Sequence, residues 1–315
     1  GIIQDFLTKN GVPFVSGLAK GTGVLGYIEG EGTQSIGLRA DIDALPILEE
    51  NTFDWKSIHE GCMHACGHDG HTTILLGAAK VLSLIAKEQS IPNPVTFVFQ
   101  PAEEGPPEGE NGGAKMMLEE GLFEKYDPEV IFGLHVGNGP HGYVSVVSGP
   151  AMAAASTYRI KVKGVQAHGS RPWDSIDPVM ASVELIQGLN TIVSRRINII
   201  NNPAVVSVGI IRSGTRGNII PEDAEIQGTI RTFDPELRAE IYDEIRQIAS
   251  GVALGTGAQI DVEFDVGGFY PVTYNNPDLV AKLIPTLKEA TDNKFFLSKT
   301  PSTGAEDFSF FSDRI

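Results

Sequence analysis

The sequence predicts an α/β fold in which a larger domain with a mainly parallel central sheet is interrupted by a smaller α+β domain. Three observations carry this reading. First, three apolar, β-rich segments alternate with helical patterns over residues 35–136, as crossover connections in a layered sheet require. Second, the pattern changes near Gly149, where strands begin to alternate polar and apolar residues, as they do when one face is wet. Third, the last fifty residues return to the earlier style. At 315 residues, two domains are the natural division. The expected bounds are 1–152 together with 266–315 for the larger domain and 153–265 for the inserted one.

In chain order, SIGLRADID (35–43) reads as a strand that runs into Asp41 and Asp43. HTTILLGAAKVLSLIAKE (71–88) repeats Leu75, Ala78, Ala79, Leu82 and Ile85 or Ala86 at helical spacing. PVTFVFQPAEE (94–104) is β-rich until Pro101 stops it, and Glu103 and Glu104 follow. GGAKMMLEEGLFEKY (112–126) is a shorter helical pattern, and VIFGLHV (130–136) ends near His135. Ligands in open sheets bind beyond the carboxyl ends of the strands, and His135 and the glutamate pair sit at those ends. The inserted part reads strand (156–164), helix (177–196), strand (204–214), strand (223–233), helix (235–257), strand (259–265), an order that points to a ferredoxin-like unit.

Composition narrows the function classes. With 24 Lys+Arg against 40 Asp+Glu the formal charge is −16. Such a surface repels phosphate backbones, and no basic stripe occurs, so nucleic acid is not an expected partner. No apolar run reaches the roughly 20 residues that cross a bilayer, so no membrane association is expected. A cytoplasmic location is the expectation, with an exported form left open because the chain begins at Gly1 without a methionine. Cys62 and Cys66 are the only cysteines; their spacing is one residue longer than a Cys-x-x-Cys redox motif. GTGVLG (21–26) fits a dinucleotide-binding pattern, but the sequence continues as two β-like runs joined by EGEG rather than as a helix, so the glycines read as turn and strand residues. Neither a Gly-x-Ser-x-Gly elbow nor a P-loop occurs.

The residues able to do chemistry concentrate in MHACGHDGHTT (63–73). Cys66 and His68 are two apart, so in extended backbone they point to one side, and thiolate and imidazole are zinc-type ligands. A helix beginning near Asp69 or Gly70 favours the thiolate. Glu103 and Glu104 are adjacent and diverge, so one carboxylate can bind metal while the other acts as general base. His135, among apolar residues, gains meaning from that company. His168, Asn218 and Arg231 are ambiguous singly, although a guanidinium can clamp a carboxylate through two parallel hydrogen bonds.

Together LRADIDALPILEE, MHACGHDGHTTILLGAAK, FVFQPAEEG, GGAKMMLEEGLF, FGLHV, AHGSRP, GNIIPEDAEIQGTIRTF and TGAEDFSFF resemble the two-domain co-catalytic metallopeptidase family. That family includes aminoacylases, carboxypeptidases, hippurate hydrolases and plant auxin-conjugate amidohydrolases. The match is closest to the hippurate and auxin-conjugate branch, marked by Cys-Gly-His-Asp-Gly-His. The resemblance implies a site for two divalent metal ions (zinc, manganese or cobalt) held by Cys66, His68, Glu104 and His135, with Glu103 as catalytic base. It implies supporting roles for Asp41 and Asp43, with His71 also read as supporting, and contacts of His168, Asn218 and Arg231 with the scissile carbonyl and the substrate carboxylate. The inserted domain would serve as lid and homodimer interface. The implied activity is metal-dependent hydrolysis of the amide bond of N-acyl amino acids (N-acetyl, N-benzoyl or indoleacetyl). A dipeptidase or carboxypeptidase on the same fold, and a non-catalytic binding protein with a degenerate metal site, stand as alternatives.

One departure is visible. The branch carries a further metal-binding histidine near its C-terminus, and here no histidine follows His168. The expectation is a sequence truncated at both ends, with metal under-occupancy in the chain as it stands.

Overall fold

The structure is a computed structural model that describes residues 1–105, 111–124 and 127–315. Residues 106–110 of the glycine- and proline-rich stretch, and residues 125 and 126 of the helical pattern 112–126, lie outside the described residues. The chain forms two compact units. One comprises Gly1–Ser145, Lys282–Phe296 and Glu306–Ile315; the other comprises Val146–Ala281 and Leu297–Ala305. The second unit contains the whole 153–265 stretch and extends beyond it on both sides.

The first unit is built on a five-stranded sheet. Its strands are β1 (Phe14–Gly17), β2 (Gly23–Ile28), β3 (Ser35–Asp41), β4 (Val95–Gln100) and β5 (Pro128–Gly133), in the spatial order β1-β2-β4-β3-β5. The β4–β3 and β3–β5 pairings are parallel, whereas β1–β2 and β2–β4 are antiparallel. The sheet is therefore mixed: the parallel part is confined to the three strands that carry chemistry at their ends. The two-strand antiparallel edge arises because GTGVLGYIEG is joined to its neighbours by tight turns that leave no room for a crossover helix.

Strand β4 is buried along its whole length because both faces of the sheet are covered. Phe97 and Phe99 pack with Leu7, Leu75 and Ala79 on one face; Val98 packs with Ala114, Met117 and Phe311 on the other. This is the period-2 alternation of a strand serving two cores. Burying each phenylalanine contributes about 1.5–3 kcal/mol. The first face is closed by the helices Ile2–Asn10 and His68–Glu88, the second by Gly113–Glu119 and the terminal segment around Phe308 and Phe311. In the register of β3 and β4, Asp41 faces Gln100. The carboxyl ends of β3, β4 and β5 thus share one edge.

The second unit runs strand Ala154–Lys163, helix Pro178–Thr191, strands Ala204–Ser213 and Asp223–Thr232, helix Pro235–Thr256 and strand Gln259–Phe264. Numbered in chain order these four strands lie 2-3-1-4 across an antiparallel sheet, the split βαβ arrangement. Both helices open on Asp-Pro. Asp177 accepts from Val179 N and Met180 N, and Asp234 from Glu236 N and Leu237 N. The proline fills the first helical position, where no N–H is needed. Leu185, Leu189, Ile241 and Ile245 then bury against Tyr158, Ile160, Ile226 and Ile230. Among the described residues, no helix is long and apolar enough to cross a membrane.

Candidate metal centre

The loop after β3, the start of the helix His68–Glu88, the loop after β4 and the loop after β5 converge at the shared edge. Cys66, His68 and Glu104 each offer a ligand atom within 4.8 Å of the others, and so do Asp41, His68, His71 and His135. His68 belongs to both groups. Cys66 Sγ lies 3.5 Å from His135 Nε2, which links them further.

Cys66 and His68 approach one another through a turn rather than through extended backbone. Gly67 caps the helix in the left-handed region, with φ 84°, a conformation that favours glycine. A Cβ there would also sit 2.4 Å from Val136 Cγ2. The helix accordingly begins at His68, one or two residues earlier than its sequence pattern indicates.

Hydrogen bonds assign the histidine tautomers. His68 Nδ1 donates to the Asp43 carbonyl (3.0 Å) and faces its carboxylate (3.2 Å). His135 Nδ1 donates to Val136 O (2.7 Å), and His71 Nδ1 to Asp41 Oδ1 (2.5 Å). With the proton on Nδ1, each Nε2 keeps its lone pair. His71 uses that lone pair to accept from Val136 N (2.9 Å). His68 Nε2 is buried without a hydrogen-bond partner, 3.7 Å from Asp41 Oδ2 and 3.8 Å from Glu104 Oε1.

A buried imidazole lone pair without a partner is costly. One that faces two carboxylates and a thiol is the donor set of a divalent cation of zinc type. The residues present fit such a metal. Asp43 holds this side of the site together, because its other oxygen accepts from Glu104 N (3.1 Å). Burial opposes its charge, but the hydrogen bonds from His68 and from the Glu104 and Glu103 backbone lower its pKa. Burial also opposes the charged form of His68, and the Asp43 hydrogen bond with the carboxylates of Asp41, Asp43 and Glu104 outweighs it.

The thiol of Cys66 behaves differently from the helix-terminus expectation. Burial, then Glu104, Glu103 and Asp41, push it up to about 12. In the protein alone, burial and then neighbouring negative charge outweigh the helix terminus; a bound dication is the charge that would invert this balance.

Beneath the site lies a charged network that joins Asp41 and Glu103 to Arg39, Gln100, Glu306 and Asp307, four residues to which the sequence reading gave no role. Arg39 is buried and donates to Gln100 Oε1 (2.7 Å), Asp41 Oδ2 (2.8 Å), Glu306 Oε1 (2.8 Å) and Asp307 Oδ1 (3.2 Å). Burial works against the guanidinium charge, yet Glu306, Asp307, Asp41 and Glu103 raise its pKa. Asp307 also accepts from Gln100 Nε2 and Ala114 N. Glu103 turns inward to this cluster, its carboxylate within 4.8 Å of those of Glu306 and Asp307, while Glu104 faces out. Burial, then Glu306 and Asp307, raise the Glu103 carboxyl to about 10, against the pull of Arg39. The signal for this network was an arginine inside an otherwise apolar strand, SIGLRAD.

In the second unit, His168 and Asn218 come together. Ile219 pairs with His168, and Gly169 N donates to Asn218 O (2.8 Å). Ser170 N donates to His168 Nδ1 (3.2 Å), so the ring proton sits on Nε2. Arg231 stands on the strand Asp223–Thr232 and turns back on it, donating to Thr229 Oγ1 and to Ile230 O. Burial lowers its pKa. His64 is exposed and joins none of the ligand groups found among the described residues.

The chain is 41% identical over 297 residues to a hippurate hydrolase of Campylobacter jejuni, covering 93% of this chain and 74% of that protein. It is 38% identical over 312 residues to thermostable carboxypeptidase 2 of Saccharolobus solfataricus, covering 98% and 76%. A crystal structure from Bacillus subtilis, described as a dinuclear metal-binding peptidase of the M20 family, superposes with a TM-score of 0.80 at 32% identity, covering 100% of this chain and 79% of that one. The description of peptidase family M20/M25/M40 matches residues 37–315, and the chain belongs to that family of hydrolases acting on amide or peptide bonds.

Proposed function

We propose that the chain hydrolyses the amide bond of N-acyl amino acids, of the N-acetyl, N-benzoyl or indoleacetyl type, to a carboxylic acid and a free amino acid. The observation that carries this reading is the buried, unpartnered His68 Nε2 facing Asp41 and Glu104, with Cys66 beside it. The kinship with a hippurate hydrolase supports the substrate class. Cys66, His68, Glu104 and His135 are the residues that would hold two divalent ions, zinc, manganese or cobalt. When bound, such ions polarise a carbonyl and lower the pKa of water.

Glu103 is the proposed proton carrier, taking a proton from water and delivering it to the leaving amine. Its inward position beside Glu306 and Asp307 raises its affinity for that proton, and such acid–base help contributes about 10²–10⁴-fold. His168 presents an Nε2 donor suited to an oxyanion. Asn218 and Arg231 are proposed to hold the free carboxylate. The inserted unit is proposed as lid and homodimer interface; the edge strand Ala204–Ser213, with Val205 and Ile211 exposed, supports the latter, and sedimentation measures it.

The test is Glu103→Gln with added manganese, zinc or cobalt. It should keep metal while losing nearly all turnover on acetyl-, benzoyl- and indoleacetyl-amino acids; near-wild-type turnover would sink Glu103 as base. Because a carboxypeptidase is also a relative, the same panel includes peptides, and preference for them would move the substrate class. Failure to bind metal would favour a binding protein with a degenerate site.

A further inference from the structure

The three clustered histidines are alike in having Nδ1 committed and differ in what Nε2 does. His68 Nε2 is unpartnered, and His135 Nε2 faces Cys66 Sγ at 3.5 Å. His71, whose side chain is 1% exposed, spends its Nε2 lone pair on the Val136 N–H. That peptide joins His135 to Val136, and the carbonyl at the far end of Val136 receives the His135 Nδ1 proton. The backbone around Val136 therefore fixes both the place and the orientation of the His135 ring. His71 is in turn held by Asp41 Oδ1, and Asp41 Oδ2 by Arg39.

We propose that His71 is a positioning residue for His135 and not itself a metal ligand: Arg39, Asp41, His71 and the Val136 N–H form one line of hydrogen bonds that aims His135 Nε2. The proposal rests on the reading of His135 as a ligand. The competing assignment is that His71 ligates, since its ring also belongs to the Asp41–His68–His71–His135 group. Ligation through Nε2 would require the Val136 N–H to give up its acceptor in a partly buried place, and ligation through Nδ1 would break the Asp41 bond.

Two substitutions separate the two ends of the ring. In His71→Gln the amide oxygen reaches toward the position of Nε2 and can accept from Val136. In His71→Asn the shorter amide can donate to Asp41 but cannot reach Val136. Zinc or cobalt content and affinity are measured on each full chain, with His135→Ala as reference. The relay predicts that His71→Gln keeps wild-type stoichiometry, whereas His71→Asn weakens one metal about 10–100-fold, the range typical of residues that orient a ligand. The loss should fall on the same metal as in His135→Ala, be smaller than in that variant, and spare the other metal. Equal loss in both His71 variants overturns the relay. The wild-type protein supplies a second measurement independent of how the variants fold. In ¹⁵N-edited NMR of the metal-free chain, His71 should show an Nδ1-protonated ring, and on zinc addition the Nε2 signals of His68 and His135 should shift while that of His71 stays. A metal-bound shift at His71 Nε2 overturns the proposal. An unchanged metal content in His135→Ala removes the ligand reading on which it rests, a result distinct from either His71 outcome.

Discussion

Gly67 and Val136 are in contact across the site: the space a Cβ would take at residue 67 is filled by Val136 Cγ2, 2.4 Å from that position. One glycine therefore lets the loop after β5 close onto the Cys66–His68 turn, and its positive φ makes that turn possible. Gly67→Ala faces a steric and a conformational penalty together. We expect a loss of stability on the order of 1–3 kcal/mol from the backbone alone, with weakened metal binding, read by denaturant unfolding and metal titration. Adding Val136→Ala should relieve the steric part and leave the backbone part. An additive double variant would show that the contact does not matter.

Arg39 offers a test of the buried network. Arg39→Met leaves Glu306, Asp307 and Asp41 without their common cation. Breaking a buried ion pair from one side destabilises by about 3–5 kcal/mol. A further Asp307→Asn change removes one of the stranded charges and should recover part of that loss. Urea denaturation of the wild type, both single variants and the double variant forms the cycle, and zero coupling would count against the network.

The Asp-Pro helix starts of the second unit make a quantitative case. Asp177→Ala removes the acceptor for Val179 N and Met180 N and should lower stability by about 1 kcal/mol. Asp177→Asn should recover most of it, because an amide oxygen still accepts. Thermal unfolding of the three proteins measures the difference.

Metal binding and stability are linked. A divalent ion that binds the folded chain stabilises it by about 2.7 kcal/mol at a hundred times its Kd. Added zinc or manganese should therefore raise Tm and a chelator should reverse the rise. His68→Ala removes the nitrogen common to both ligand groups and should abolish most of the shift. An equal shift in that variant would place the bound ions elsewhere.

The strand ends were legible because apolar β-rich runs stopping at Asp41, Gln100 and His135 leave few ways to arrange a layered sheet. The split βαβ order was legible from the succession of strand and helix patterns over 156–265, and the Asp-Pro capping of both helices was found only in the structure. What could not be read depended on partners distant in sequence or on backbone groups. Arg39 meets Glu306 across 267 residues, a pairing set by the packing of the terminal segment on the sheet. The separation of His71 from His68 and His135 turns on one peptide N–H at Val136. The turn at Gly67 replaces an extended link that spacing alone favoured. Even the inward turn of Glu103 and the outward turn of Glu104 needed the fold, because adjacency says only that two side chains diverge.

The Arg39–Glu306 pair also has a meaning in time. During synthesis at ~5–20 residues per second, a nascent chain that has completed β3 waits roughly 13–53 s before Glu306 leaves the peptidyl-transferase centre. Until then the arginine of β3 lacks Glu306 and Asp307 and has only Asp41 and Gln100 of its four partners, so burying its charge with all of them in place has to wait for the end of this stretch.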